Sequence, residues 1–174
     1  MRHALLAGSP GVGKSTLIRR VVEELHPTLC GFLTQKEPAL ADPVLGSPVY
    51  YHPLGVPRRY STDHLLGHCK DRCPQVYPDA FHRLAPQVAA MGGGQLLVMD
   101  EIGFMETCSP AFCQAVLAHL DAEVPILAAV KDMDWPFLNQ VRQHPNGRVF
   151  SITRENRDEM FAPVLAFVKA QLEE

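Results

Sequence analysis

The sequence predicts an α/β fold with a mostly parallel central sheet covered by helices on both faces. Two patterns point there. Short apolar runs of strand length alternate with amphipathic, helix-like segments, and a glycine-rich turn joins the first run to the first helix. Strands that alternate with helices are linked by crossovers, which lay the helices on the faces of a parallel sheet. The size agrees. A chain of 174 residues, 47% hydrophobic and 20% charged, can bury roughly 70% of the surface it exposes when unfolded.

Each element has a local reason. Residues 2–7 form a short apolar run that reads as a buried strand. Residues 13–25 read as a helix, because Leu17, Ile18, Val21, Val22 and Leu25 share one face. Residues 28–34 are a second strand. Residues 38–78 hold seven of the 15 prolines and three of the eight histidines. Only a short strand, at 49–51, is expected there, since proline favours edges and loops. Residues 78–91 read as a helix opened by Pro78 and stopped by Gly92, Gly93 and Gly94, with Pro86 expected to kink or split it. Residues 95–99 are a buried strand. Ser109 caps a helix running to residue 120, with Pro110 in its first turn. A strand at 125–130, a short helix at 135–143 and a strand at 148–152 follow. A helix at 154–172, bent at Pro163, ends the chain. Residues 1–174 are read as a single domain carrying a Pro/His-rich insert at about 38–78.

Charge excludes some functions. Sixteen basic against 19 acidic side chains leave a formal charge of −3, so there is no polybasic footprint for general nucleic-acid or anionic-membrane binding. The longest apolar runs are far shorter than a bilayer span. No secretory signal is recognisable at the N-terminus, which places the protein in the cytoplasm. Cys30, Cys69, Cys73, Cys108 and Cys113 are then free thiols or ligands and not a disulfide framework.

The string GSPGVGKS, Gly8 to Ser15, satisfies G-x-x-x-x-G-K-[ST] in full, after a predicted strand and before a predicted helix. Gly8, Ser9, Pro10, Gly11, Val12 and Gly13 form a loop whose amides point at a polyphosphate, where the helix dipole also favours negative charge. Lys14 is expected on the β- and γ-phosphates and the Ser15 hydroxyl on Mg²⁺. Thr16, by analogy with other such loops, is expected on the α-phosphate.

QLLVMDEIG, residues 95–103, is an apolar strand that ends in two carboxylates. Asp100 stands where this fold places the acid of the Mg²⁺ shell. Glu101 can orient or deprotonate a water for attack on the γ-phosphorus. Taken alone, the two acids would read as a helix cap or a solvated turn; the upstream loop gives them a task. Glu106 is assigned a surface or supporting place. The guanine-selective [NT]-K-x-D string is absent, and Val130-Lys131-Asp132-Met133 is only a fragment of it.

With both motifs placed, the chain resembles the nucleoside-triphosphatase family of the thermophilic and human cancer-related type. The shared blocks are GSPGVGKST, GFLTQKE at 31–37, VMDEIGFMETCSPAFCQAVLAHL at 98–120, VPILAAVK at 124–131 and VFSITRENRD at 149–158. The resemblance implies a RecA-like P-loop core that hydrolyses nucleoside triphosphates, ATP, GTP or others, to diphosphates with Mg²⁺ and broad base tolerance. It also matches Asn156-Arg157 to the family's late Asn-Arg pair. Arg157 could then supply a cation to the transition state. Its plainer reading is a pair with Glu155, Asp158 or Glu159, or a hold on the nucleobase loop. The chain departs from the family pattern at 38–78, and the spacing of Arg58, Arg59 and Arg72 there assigns them nothing.

HLLGHCKDRC puts His64, His68, Cys69 and Cys73 within ten residues. On a helix, His64 and His68 would be i, i+4 partners, as would Cys69 and Cys73, within reach of a soft divalent metal. Gly67 weakens such a helix, and partly exposed side chains are the plainer reading. Two alternatives to hydrolysis follow: a nucleotide-gated assembly or metal-delivery protein using this cluster, and a small-molecule kinase. The sequence names no protein partner.

Overall fold

The computed structural model describes residues 1–173. Its strands are β1 (His3–Gly8), β2 (Leu29–Lys36), β3 (Ser47–Pro53), β4 (Leu65–Lys70), β5 (Cys73–Val76), β6 (Leu96–Ile102), β7 (Ile126–Lys131) and β8 (Gly147–Ser151). Its helices are α1 (Lys14–Leu25), α2 (Pro78–Ala89), α3 (Pro110–Asp121), α4 (Pro136–Arg142) and α5 (Phe161–Leu172). The eight strands make one sheet in the order β5-β4-β3-β2-β6-β7-β1-β8. β2, β6, β7, β1 and β8 run parallel, and β3, β4 and β5 extend β2 antiparallel. The expected α/β architecture is therefore the observed one.

Period-2 alternation sends each strand's side chains to two cores. Leu5, Phe32, Leu97, Met99 and Ala128 meet α2, α3 and α4 on one face. Ala4, Leu6, Val98, Leu127 and Phe150 meet α1 and α5 on the other. The central strands are apolar on both sides because both sides are covered, as parallel sheets require. Ser109 accepts a hydrogen bond from the Phe112 amide at the start of α3, as its capping position predicts.

Three local expectations change. The segment 38–78 carries three strands and not one short strand at 49–51: β3 spans Ser47–Pro53, His64 ends a 3₁₀ turn, and β4 and β5 form a hairpin closed by Asp71 and Arg72, whose φ angles are 50° and 66°. Two central residues with φ > 0 are the signature of the tight turn that matches strand twist. His68 and Cys69 are neighbours on a strand and point to opposite faces; His68 Nδ1 lies 2.7 Å from the Tyr77 hydroxyl. Among the described residues, no three His, Cys, Asp or Glu side chains are grouped to hold a metal ion. Helix α2 runs unbroken through Pro86. Helix α5 starts at Phe161 and not at 154, so Pro163 falls in its first turn, where proline is tolerated.

His3 ties the sheet to α3. Its ring is fully buried, with Nε2 3.0 Å from the Leu120 carbonyl and Nδ1 accepting the Ile126 amide at 3.2 Å. These partners require the neutral ring protonated on Nε2, and burial lowers its pKa from 6.5 to about 4. Protonation therefore favours the unfolded chain between these two values. Stability is expected to fall as pH drops from about 6.5 to about 4, by on the order of 3 kcal/mol from this residue. Thermal melts across that range, with His3→Asn flattening the dependence, check this.

Candidate active site

The turn between β1 and α1 is shaped by its glycines. Gly13 has φ 109°, a conformation L side chains rarely adopt, and a Cβ there would lie 3.1 Å from the Arg157 side chain. The turn thus directs the α1 N-terminus at the space above the sheet. Lys14 is buried, and its Nζ donates to the Gly8 carbonyl at 2.7 Å and the Ser9 carbonyl at 2.9 Å. Those bonds fold the lysine back across its own loop.

β6 delivers the two carboxylates to the same end of the sheet. Ser15 Oγ donates to Asp100 Oδ1 at 2.8 Å. Lys14 Nζ lies 3.3 Å from Glu101 Oε2. The loop and the strand end, 85 residues apart in sequence, meet through both pairs. Burial raises the Asp100 pKa, opposed by the Ser15 hydrogen bond. One hydroxyl and one carboxylate, both hard oxygen donors at contact distance, suit Mg²⁺ that takes its remaining ligands from water and phosphate.

Strand β7 lies between β6 and β1. Lys131 at its end places Nζ 3.4 Å from Glu101 Oε1, so Glu101 is flanked by two ammonium groups. Arg142 secures that strand end by donating to the Lys131 and Met133 carbonyls, at 2.7 Å each. On the other side, the Thr34 hydroxyl of β2 accepts the Glu101 amide at 3.3 Å and donates back to the Glu101 carbonyl at 3.3 Å.

Lys131 had no assigned role in the sequence; its one signal was its place as a lone cation at the end of an apolar strand. Of the two places expected for Glu106, surface or supporting, the structure shows the supporting one. The residue is buried in a 3₁₀ turn (Met105–Cys108), and its Oε2 accepts the Gly103 amide at 3.0 Å. That bond closes the turn directly after β6. The pairings foreseen for Arg157 do not form among the described residues. Asp158 pairs with Arg20 at 3.4 Å, and the Arg157 side chain lies over Gly13. Asn156 shapes that loop: its Oδ1 accepts the Thr153 amide at 2.8 Å and its Nδ2 donates to the Ser151 carbonyl at 2.9 Å. Gly13, Thr16, Arg20 and Arg157 line a cleft of about 170 Å³ that neither Lys14 nor Glu101 borders.

A sequence profile described as "NTPase" matches residues 3–52 and 54–165. The chain belongs to the nucleoside-triphosphatase family. Within that family it is 30% identical over 188 residues to the cancer-related nucleoside-triphosphatase homolog of Mus musculus, covering 97% of each chain. It is 29% identical to the nucleoside-triphosphatase THEP1 of Natranaerobius thermophilus, covering 98% of each. The solution structure of a human cancer-related nucleoside triphosphatase superposes with a TM-score of 0.67 at 28% identity, over 98% of both chains. The family resemblance read from the P-loop and the DEIG block is thereby established. Among the described residues, no helix is long and apolar enough to cross a membrane.

Burial raises the Glu106 pKa from 4.5 to about 8. Ionisation in that interval favours the unfolded chain, so this carboxyl makes stability decline as pH rises from about 4.5 to about 8. Glu106→Gln keeps an acceptor for Gly103 and removes the charge. Its melting temperature is expected to exceed the parent's near pH 8 and to converge with it near pH 4.5; parallel melts at the two values test this.

Proposed function

We propose that the protein is a Mg²⁺-dependent nucleoside-triphosphatase, cleaving the terminal phosphoanhydride of ATP, GTP or another nucleoside triphosphate to give the diphosphate and phosphate. The observation that carries this is the meeting of Lys14 and Ser15 with Glu101 and Asp100 at one end of the sheet. The family name of the relatives adds to it. On this reading residues 1–174 act as one catalytic domain, the extension at 38–78 included.

The amides of residues 8–16 hold the polyphosphate, and Lys14 turns from the Gly8 and Ser9 carbonyls toward the β- and γ-phosphate oxygens. Ser15 and Asp100 would hold the Mg²⁺, which when bound would neutralise charge on the phosphate oxygens. Glu101 orients the attacking water and takes up its proton, and Lys131, 3.4 Å from Oε1, keeps that carboxylate aimed. Thr34 fixes the backbone from which Glu101 extends. Arg157, beside Gly13 and Thr16 and away from Glu101, grips the α-phosphate and base end of the nucleotide. This favours nucleotide holding over transition-state stabilisation for Arg157. Without a guanine-reading string, and with Lys131 paired to Glu101, nothing in the chain selects one base, so broad tolerance is expected.

Lys14→Ala is expected to abolish nucleotide binding, whereas Glu101→Gln binds nucleotide yet loses about 10²–10⁴-fold in phosphate release. Equilibrium binding of a fluorescent nucleotide with parallel phosphate-release assays separates the two; parental release by Glu101→Gln would remove the base assignment. Arg157→Ala is expected to raise KM about tenfold and leave kcat within a factor of two. A drop in kcat at unchanged KM would move Arg157 to the transition state. Release from ATP, GTP, CTP and UTP, with and without Mg²⁺, tests the metal and the tolerance.

A further inference from the structure

A cavity of about 620 Å³ opens on the side of Glu101 that faces β3, β4 and α2. A hydrolytic water needs only ~15 Å³ of such space, while cavities of 300–1,000 Å³ typically hold small organic molecules. Its floor is apolar, with Leu66 and Phe81 among its walls. Its mouth is cationic. Lys36, Arg72 and Lys131 line it, and the cavity reaches Pro10 of the phosphate loop as well as Glu101.

Two of these cations are unspent. Lys131 is held by Glu101. Lys36 and Arg72 make no side-chain hydrogen bond or ion pair among the described residues. Arg72 also occupies the second position of the β4–β5 turn at φ 66°, where Gly or Asn is the ordinary choice. An arginine there holds the backbone in a sparsely populated conformation, and strain of this kind persists at ligand clamps. A cationic mouth over an apolar floor suits a molecule with an anionic group and a compact hydrocarbon or ring body.

We propose that this cavity is an acceptor site, which takes a small organic anion bearing a hydroxyl and presents that hydroxyl to the γ-phosphate beside Glu101. The proposal rests on the hydrolase reading for the position of the nucleotide. The hydroxyl oxygen attacks the γ-phosphorus, and its proton passes to the Glu101 carboxylate. The bond from the γ-phosphorus to the bridging oxygen breaks, and the nucleoside diphosphate leaves with that electron pair. The product is a phosphate monoester of the acceptor. Hydrolysis is the same displacement with water in place of the hydroxyl. The anionic group sits between Lys36 and Arg72, and the body lies on Leu66 and Phe81.

The test uses ATP labelled in the γ-phosphate and two sets of acceptors. Shikimate, pantothenate and 4-hydroxyphenylacetate carry a carboxylate; ribose 5-phosphate and fructose 6-phosphate carry a phosphate. The set that accepts label identifies the anion. At least one compound is expected to take up label and to change the fluorescence of Trp135 saturably, since this sole tryptophan packs 6.5 Å from the Phe104 ring at the cavity wall. Arg72→Gly and Lys36→Ala should each cut transfer at least tenfold and leave acceptor-free phosphate release within twofold of the parent. Arg72→Gly should also raise Tm by about 2–4 °C, because glycine relieves the turn. Label found only in inorganic phosphate across both sets, or transfer undiminished in Arg72→Gly, overturns the acceptor site while leaving the hydrolase reading intact. Absence of any phosphate release from the parent protein overturns both.

Discussion

Everything at the catalytic end of this sheet depends on two contacts between segments far apart in sequence: Ser15 with Asp100, and Lys14 with Glu101. Neither could form if β1 and β6 ended at different heights. Strand β7 sets that level, because it pairs in parallel with both, placing Ala129 opposite Leu6 on one side and Asp100 on the other. Hydrogen-bond register thereby becomes catalytic geometry. The small residues Ala128 and Ala129 in β7 are fully buried, so helices pack close on either face.

Glu101 is held more completely than any other site residue. Two ammonium groups flank its carboxylate, and the Thr34 hydroxyl bridges its backbone amide and carbonyl. Below it, Glu106 closes the following turn from inside the protein. On the proposed reading Glu101 meets a reacting oxygen, and such support suits that task, since small misplacements are costly in rate. Glu106 and Arg142 touch no reacting atom in this arrangement; they hold the strand ends that carry Glu101 and Lys131.

The phosphate loop, the Asp-Glu pair, the α/β architecture and most element centres were legible in the chain because each is a local pattern. What escaped was set by tertiary pairing. The proline-rich stretch 38–78 promised only a short strand at 49–51, but pairing with β3 and β5 and the Asp71-Arg72 turn make Leu65–Lys70 a strand as well. The start of α5 was misplaced because Asn156 satisfies Thr153 and Ser151 in a turn that propensity does not reveal. For Glu106 the chain left a surface and a supporting place open, and only the fold shows the Gly103 amide that decides between them. Lys131 gave only the sign of a lone cation at a strand end, since its partner lies 30 residues away on another strand.

The prolines of 38–78 do not break the sheet: Pro48 and Pro74 are the second residues of β3 and β5, and Pro53 closes β3. Within the sheet the antiparallel extension is hydrogen-bonded to the parallel half through β2, whose Thr34 links that seam to Glu101. A change in β4 or β5 therefore reaches Glu101 only across at least two intervening strands of the sheet or through the core shared with α2 and α3.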